Sequence, residues 1–400
     1  MKQRCFFIGT PLGDLSIMKQ FEALGRELAE RGHRVIILAP HRKVELARPN
    51  ENPAVLIWPS ERPTKLRDAW FFYKLVRQFK PDCVVGSYAA VNIMMMVGWL
   101  ARVPQRIAWY HTLSSQINLD QKMPGWRMKL LRLRKRLVYR AATYIVPVSR
   151  AASDDVRDIY HQSEQKLRIF LNSVADPVQH GTAPVAVTGR AVCIARFFPS
   201  KGQDVLIRAI HILKADHPDV HAEFLGDGPS KEAYTQLARE LGVTDQCQFS
   251  GAVSHDEVLD RMRTATVTVL PSRNDNCPLV IIESLAVGTP VIASRVGGIP
   301  EVVRDGIDGF LVPPDDPQAL AARLNEVLSD AALRQKLRTY AREGFLSRLE
   351  LHRAVQEQAD WLEGLHPDGQ PSGAMASLNK SASNGPRAMP DRRPMVADCE

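Results

Sequence analysis

The chain is 400 residues long, 45% hydrophobic and 24% charged, with a formal net charge of +8. Those values fit a globular protein with room for two domains and exclude a fibrous or wholly disordered chain. The basic surplus favours an anionic partner, either a phosphorylated substrate or an acidic membrane, and no nucleic-acid-binding motif accompanies it. Six cysteines (Cys5, Cys83, Cys193, Cys247, Cys277 and Cys399) are scattered without a Cys-x-x-Cys pair or a Cys/His cluster. They read as free thiols of a reducing compartment, not as a disulfide frame or a zinc site. No signal-peptide core precedes the first strand. The longest mostly apolar run, Ala89 to Ala101, is broken by Asn92 and falls short of a bilayer span. A cytoplasmic protein is expected, with peripheral contact to the inner face of the cytoplasmic membrane as a further option.

In chain order, Cys5 to Ile8 read as a buried strand, followed by a loop from Thr10 to Ser16 that contains Gly13. Phe21, Leu24, Leu28 and Ala29 give one apolar helix face, and Arg31-Gly32-His33 ends that helix. Val35 to Ala39 then form a second strand. In such a β-α-β unit the right-handed crossover puts Gly13 at a strand's carboxyl end. The loop is not Gly-x-Gly-x-x-Gly, which argues against a dinucleotide cofactor and hence a dehydrogenase. Strands at 55–58, 83–85, 106–109 and 144–146 alternate with helices, notably Lys65 to Phe79. That alternation predicts a doubly wound α/β domain. His111 directly follows a strand at a carboxyl end, a position that suits a structural histidine as well as a site residue. From Arg127 to Arg140, Met128, Leu130, Leu131, Leu133, Leu137 and Val138 alternate with seven basic residues. Such a helix either lies on anionic lipid or packs on its own domain with its arginines solvated.

Ala175 to Thr188 has prolines and no period and reads as a linker. Ala191 to Ala195 form a strand, Arg196 to Gly202 a turn, and Val205 to Ile212 a helix. Arg196 and Lys201 therefore project from one strand-to-helix connection. A planar guanidinium and a point-charge ammonium placed there can hold a diphosphate, although either alone equally suits a solvated surface charge. The strand Ala222 to Leu225 runs into Gly226-Asp227-Gly228-Pro229, which lacks the Gly-Lys-Ser/Thr of a P-loop. Gln248 to Ser250 continue the sheet. Val267 to Leu270 are a further strand, with Pro271 to Asn276 as its loop. Pro278 suits the first turn of a helix with Leu279, Ile282, Leu285 and Ala286 on one face, stopped by Gly288 and Pro290. The start of that helix, Cys277 to Val280, offers N–H groups to an anion. Asp275 and Glu283 lie eight positions apart, a separation that suits two ends of one long ligand better than a shared metal. The alternative is that Asp275 caps the helix and Glu283 pairs with a basic side chain. Val291 to Ala293 and Leu311 to Pro313 are late strands, Pro317 to Ser329 a helix, and Arg334 to Leu365 largely helical. Beyond Pro367 the composition is that of a disordered tail.

The stretch from Leu270 to Val303 resembles the donor-binding segment of GT-B glycosyltransferases, in particular the family-4 retaining enzymes, whose motif is Glu, seven residues, Glu. Asp275 stands in place of the first glutamate. The sequences Pro-Leu-Val-Ile-Ile-Glu-Ser-Leu-Ala, Gly-Thr-Pro-Val-Ile-Ala and Gly-Gly-Ile-Pro-Glu complete the pattern, and Arg196 with Lys201-Gly202 is similar to the family's Arg…Lys-Gly signature. The resemblance implies two Rossmann-like domains facing across a cleft. An acceptor-side domain would span 1–174, a linker 175–188 and a donor domain 189–345. A terminal helix at 346–366 would cross back to the first domain, leaving a tail at 367–400.

It further implies roles for single residues. Asp275 would meet the hydroxyls of the transferred sugar, and Glu283 the ribose hydroxyls. Arg196, Lys201 and the N–H groups near Cys277, Pro278, Leu279 and Val280 would hold the diphosphate. Gly13 would lie close to the donor phosphates or the acceptor, Gly226 near the nucleotide, and His111 would line the sugar site. Ser149, Asn172 and Ser173 match family positions near the cleft, and His33 reads as structural. The implied reaction moves a sugar from a UDP- or GDP-sugar to an acceptor with retention of configuration, without a cofactor or metal. No Asp-x-Asp triplet, the usual metal–diphosphate ligand of the other major glycosyltransferase fold, occurs in the chain. The acceptor expected is a lipid-linked oligosaccharide or a surface-polysaccharide precursor, such as lipopolysaccharide. A sugar-nucleotide epimerase and a non-catalytic sugar-nucleotide-binding scaffold are the alternatives.

Overall fold

The computed structural model describes residues 2–10, 15–40, 48–121, 124–178 and 189–365. Gly13, most of the expected linker, and the tail with Cys399 lie outside the described residues. In the first half the order is β1 (Cys5–Gly9), α1 (Leu15–Glu30), β2 (Arg34–Ala39), β3 (Ala54–Ile57), α2 (Leu66–Phe79) and β4 (Cys83–Gly86). It continues with α3 (Ala90–Leu100), β5 (Gln105–Tyr110), α4 (Ser114–Gln121), α5 (Gly125–Ala141), β6 (Tyr144–Pro147) and α6 (Arg150–Asp158). The six strands pair in parallel in the order β3-β2-β1-β4-β5-β6.

The strands are near-continuous apolar runs because both faces of the sheet are covered. Alternation along β1 divides the core. Phe6 and Ile8 pack with Phe21, Leu24 and Leu28 of α1 on one face. Phe7 packs with Phe72 of α2, Met94 of α3 and Val138 of α5 on the other.

The second half repeats the plan. Its first elements are β7 (Arg190–Ile194), α7 (Gln203–Leu213), β8 (His221–Leu225), α8 (Lys231–Glu240), β9 (Cys247–Gly251) and α9 (His255–Thr264). β10 (Val267–Leu270), α10 (Leu279–Ala286), β11 (Val291–Ser294), α11 (Ile299–Val302), β12 (Gly309–Val312) and α12 (Pro317–Ser329) follow. The sheet is again parallel, in the order β12-β11-β10-β7-β8-β9. The strand order reverses between β7 and β10, so the loops after these two strands flank the crevice where open α/β sheets take ligands.

Two expectations shift. The last strand begins at Gly309, which pairs with Val291, and ends before Pro313, whose missing N–H cannot extend a ladder. The terminal helical stretch is split into α13 (Ala331–Arg348) and α14 (Leu351–Glu363), because Glu350 turns its carboxylate onto the N–H groups of His352 and Arg353 and starts a new helix. α14 lies on α1. The Arg31 guanidinium meets Asp360 at 2.6 Å and Glu363 at 2.8 Å. Buried His33 accepts the Arg4 N–H at Nδ1 and has Nε2 2.7 Å from Glu363, a structural placement for this histidine. The five described cysteines are buried and free.

Candidate active site

The carboxyl ends of the two sheets meet, and Asn276, in the loop after β10, ties them together. Its Nδ2 donates to the His111 carbonyl at 2.8 Å, and its Oδ1 accepts from the Ser149 hydroxyl. Ser149 is also the N-cap of α6. Around this centre Asn274 Nδ2 donates to Ser115 Oγ at 2.8 Å, and Asn172 Nδ2 to the Cys277 carbonyl at 2.8 Å. The Glu301 carboxylate accepts the Arg150 N–H at 2.7 Å. Ser149 and Asn172 were expected near the cleft. Asn276, Asn274 and Glu301 were not singled out, although all three lie inside the motif stretch and their polarity beside apolar runs was the available signal.

On the donor side, the loop after β7 and the loop after β10 form one surface. Lys201 ends a short turn, and its Nζ lies 2.6 Å from Asp275 Oδ2, both side chains being largely buried. Asp275 Oδ2 also accepts from Ser272 Oγ at 3.4 Å. Gly202 makes the approach possible. Its φ is +65°, and a Cβ there would stand 2.1 Å from the Pro271 carbonyl oxygen. Arg273 fixes the β10 loop from outside, with Nη2 2.7 Å from Asp204 of α7 and Nε 2.6 Å from Asp315. Arg196 is exposed and its guanidinium lies over the Phe198 ring at 5.0 Å. Thus the two expected cations do rise from one connection, but Lys201 turns to Asp275 while Arg196 stays at the open side. Gly226 follows β8, and its N–H donates to the Gly251 carbonyl at 2.7 Å.

Pro278 stands just before α10 as its N-cap residue, not within the first turn. It has no N–H, so the unpaired donors of the helix start fall to Leu279 and Val280. Cys277 is buried, and burial pushes its thiol up to about 12, so it stays protonated and serves as core. Glu283, a turn further along α10, accepts from Ser16 Oγ at 3.0 Å and lies 4.0 Å from His255 Nδ1. With Lys19, Val174 and Asp260 these residues line a cavity of about 470 Å³, a size that takes a small organic ligand. His255, at the start of α9, was not foreseen. A lone histidine after a polar loop carries no signal in sequence.

His111 follows β5. Its ring stacks on Tyr88 at 4.4 Å, and both ring nitrogens are buried without a partner among the described residues. Burial pushes its pKa down to about 3, so the imidazole is neutral near pH 7, with one N–H and one lone pair to offer. Tyr88 itself holds a φ of +48°, a strained conformation for a bulky residue. Among the described residues no group of three or more His, Cys, Asp or Glu side chains could hold a metal ion, and no helix is long and apolar enough to cross a membrane.

Two parallel doubly wound domains, joined at their carboxyl edges with cationic and carboxylate side chains between them, define a GT-B architecture. The profile of "Glycosyl transferases group 1" matches residues 189–344, and that of "Glycosyltransferase Family 4" matches residues 19–176. The chain belongs to this family of glycosyltransferases. Among curated relatives, a D-inositol 3-phosphate glycosyltransferase of Streptomyces avermitilis is 38% identical over 151 residues, covering 36% of this chain and 32% of the relative. One from Thermobispora bispora is 29% identical over 261 residues, covering 58% and 60%. The matches thus span about a third to three-fifths of these relatives. The fold is shared with Anabaena HepE in complex with UDP, at TM-score 0.73 and 19% identity over 91% of this chain and all of that one. It is shared also with sucrose-phosphate synthase of Thermosynechococcus elongatus, at TM-score 0.72 and 20% identity over 95% and 100%.

Proposed function

We propose that this glycosyltransferase moves a sugar from a UDP- or GDP-sugar to a lipid-linked or polysaccharide-precursor glycan, with retention of anomeric configuration and without a metal or cofactor. The observation that carries the reading is the Lys201–Asp275 contact at the strand-order reversal, in the loop that leads into α10, with Glu283 about one turn inside that helix. It supports the reading because a cation suited to a leaving diphosphate stands next to a carboxylate suited to sugar hydroxyls. The α10 rise of about 1.5 Å per residue sets Glu283 at ribose distance from the helix start.

The nucleoside enters the cavity at Glu283, which accepts the ribose hydroxyls. The diphosphate lies across the first turn of α10, where the Leu279 and Val280 N–H groups and Lys201 meet it, and Arg196 swings in from the open side. As the bond from the anomeric carbon to the phosphate oxygen breaks, these donors stabilise the growing negative charge. The acceptor oxygen bonds to the anomeric carbon from the same face, and its proton passes to the departing phosphate oxygen. Asp275, released from Lys201 by the diphosphate, binds sugar hydroxyls, and neutral His111 hydrogen-bonds to another. The HepE structures with UDP and UDP-glucose show the same fold around that class of ligand. The curated relatives are named for sugar transfer to an inositol phosphate. The test is incubation with UDP- and GDP-sugars and lipid-linked acceptors in excess chelator, with NMR of the product. A glycoside of unchanged anomeric configuration, accompanied by free nucleoside diphosphate, is expected. An inverted product, or turnover abolished by the chelator, would overturn the reading.

A further inference from the structure

The first sheet carries α2, α3 and α5 side by side on the face opposite α1 and α14. Each buries one side, and each leaves large apolar side chains on the other. On α5 the residues Trp126, Leu130, Leu133 and Leu137 are 52–63% exposed. At about 100° per residue they fall within an arc of about 60°, opposite the buried Met128, Val138 and Tyr139. α3 adds Met96, Trp99 and Leu100, and α2 adds Leu66 and Trp70, all likewise exposed. Exposed apolar residues occur singly on most proteins, but nine on three neighbouring helices are a concentration of the kind that marks an interaction surface.

Charge selects the partner. α2 contributes three basic residues, α5 seven and α3 none, while the single acid of the three helices, Asp68, is buried. Arg127 and Arg134 flank the α5 stripe on one side, and Lys129, Arg136 and Arg140 on the other. The other two do not flank it: Arg132 lies further round the helix, and Lys135 turns inward over the Tyr110 and Tyr160 rings. An apolar, tryptophan-bearing ridge fringed by cations is the pattern of a surface that seats in a bilayer interface and holds anionic headgroups. A second copy seated face to face would set cations against cations, since these three helices offer no exposed acid.

We propose that the α2/α3/α5 face docks the protein on an anionic lipid bilayer, with Trp99, Trp126 and the α5 leucines entering the headgroup–acyl boundary. The inference is independent of the donor chemistry and goes beyond a single basic helix: the seat is a three-helix surface. It is tested by sedimenting the full chain with vesicles of phosphatidylglycerol and phosphatidylcholine at about 3:7, against vesicles of phosphatidylcholine alone. At least about tenfold tighter binding to the anionic vesicles is expected, lost in high salt, with a blue shift of tryptophan emission. The Leu130→Ser/Leu133→Ser/Leu137→Ser variant should bind them at least about tenfold more weakly while keeping a melting temperature close to that of the parent protein, since these side chains are more than half exposed. Equal binding by parent and variant, or no binding by the parent, would overturn the proposal. A dimer in light scattering that the same variant dissolves would overturn it too, assigning the face to a second copy.

Discussion

His111 shows how much the fold spends on one side chain. Its ring is stacked on Tyr88 and both nitrogens are buried without a partner among the described residues, so the folded state holds it neutral down to about pH 3. The unfolded chain takes up a proton near pH 6.5, so it binds more protons than the folded one between these values. Stability from this residue is therefore present above pH 6.5 and lost as pH falls toward 3. His111→Asn should show a smaller fall in melting temperature between pH 7 and pH 5 than the parent protein; parallel falls would show that His111 is not the titrating group. The position of His111 after a strand was legible in the sequence. The burial of its two ring nitrogens was not, because Tyr88 and Phe21 reach it from other elements.

At the scale of elements, the donor side depends on two loops touching. Gly202 lets the turn after β7 lie against the loop after β10, and Gly297 lets the turn after β11 approach it from the other side, where a Cβ would stand 1.8 Å from the Asp275 carbonyl oxygen. Gly202→Ala should cost about 2 kcal/mol or more in urea unfolding, through strain at a positive φ and collision with Pro271. A neutral result would mean that the two loops are not held in contact. These elements were readable in sequence because buried parallel strands are unbroken apolar runs and their loops are short and polar. The Lys201–Asp275 contact was not readable, since it joins residues 74 positions apart. Nor was the outward stripe of α5. Among its apolar residues, composition does not separate Met128 and Val138, which face the core, from Leu130, Leu133 and Leu137, which face solvent.

For the whole molecule, buried polar contacts tie the two halves across the cleft, beside one apolar cluster that takes in Val148 and Phe170 of the first half and Cys277 and Ile299 of the second. Asn276 carries the central pair, to His111 and Ser149. Asn276→Ala removes the donor to the His111 carbonyl and the acceptor of the Ser149 hydroxyl, and should lower stability by about 1–3 kcal/mol. It should also speed proteolysis between the halves; an unchanged digestion rate would mean that the domains are held elsewhere. α14, returning to α1 through Arg31 and His33, is the other tie and belongs to the side away from the cleft.

The central claim, a donor site built on Lys201, Arg196 and the start of α10, is tested most directly by the melting temperature of the protein with UDP- and GDP-sugars in excess chelator. A ligand that binds only the folded state raises that temperature by mass action. The account predicts a rise with nucleotides of one base, abolished in Lys201→Ala and Arg196→Ala. Absence of any rise in the folded parent protein, or an equal rise in both variants, would contradict it.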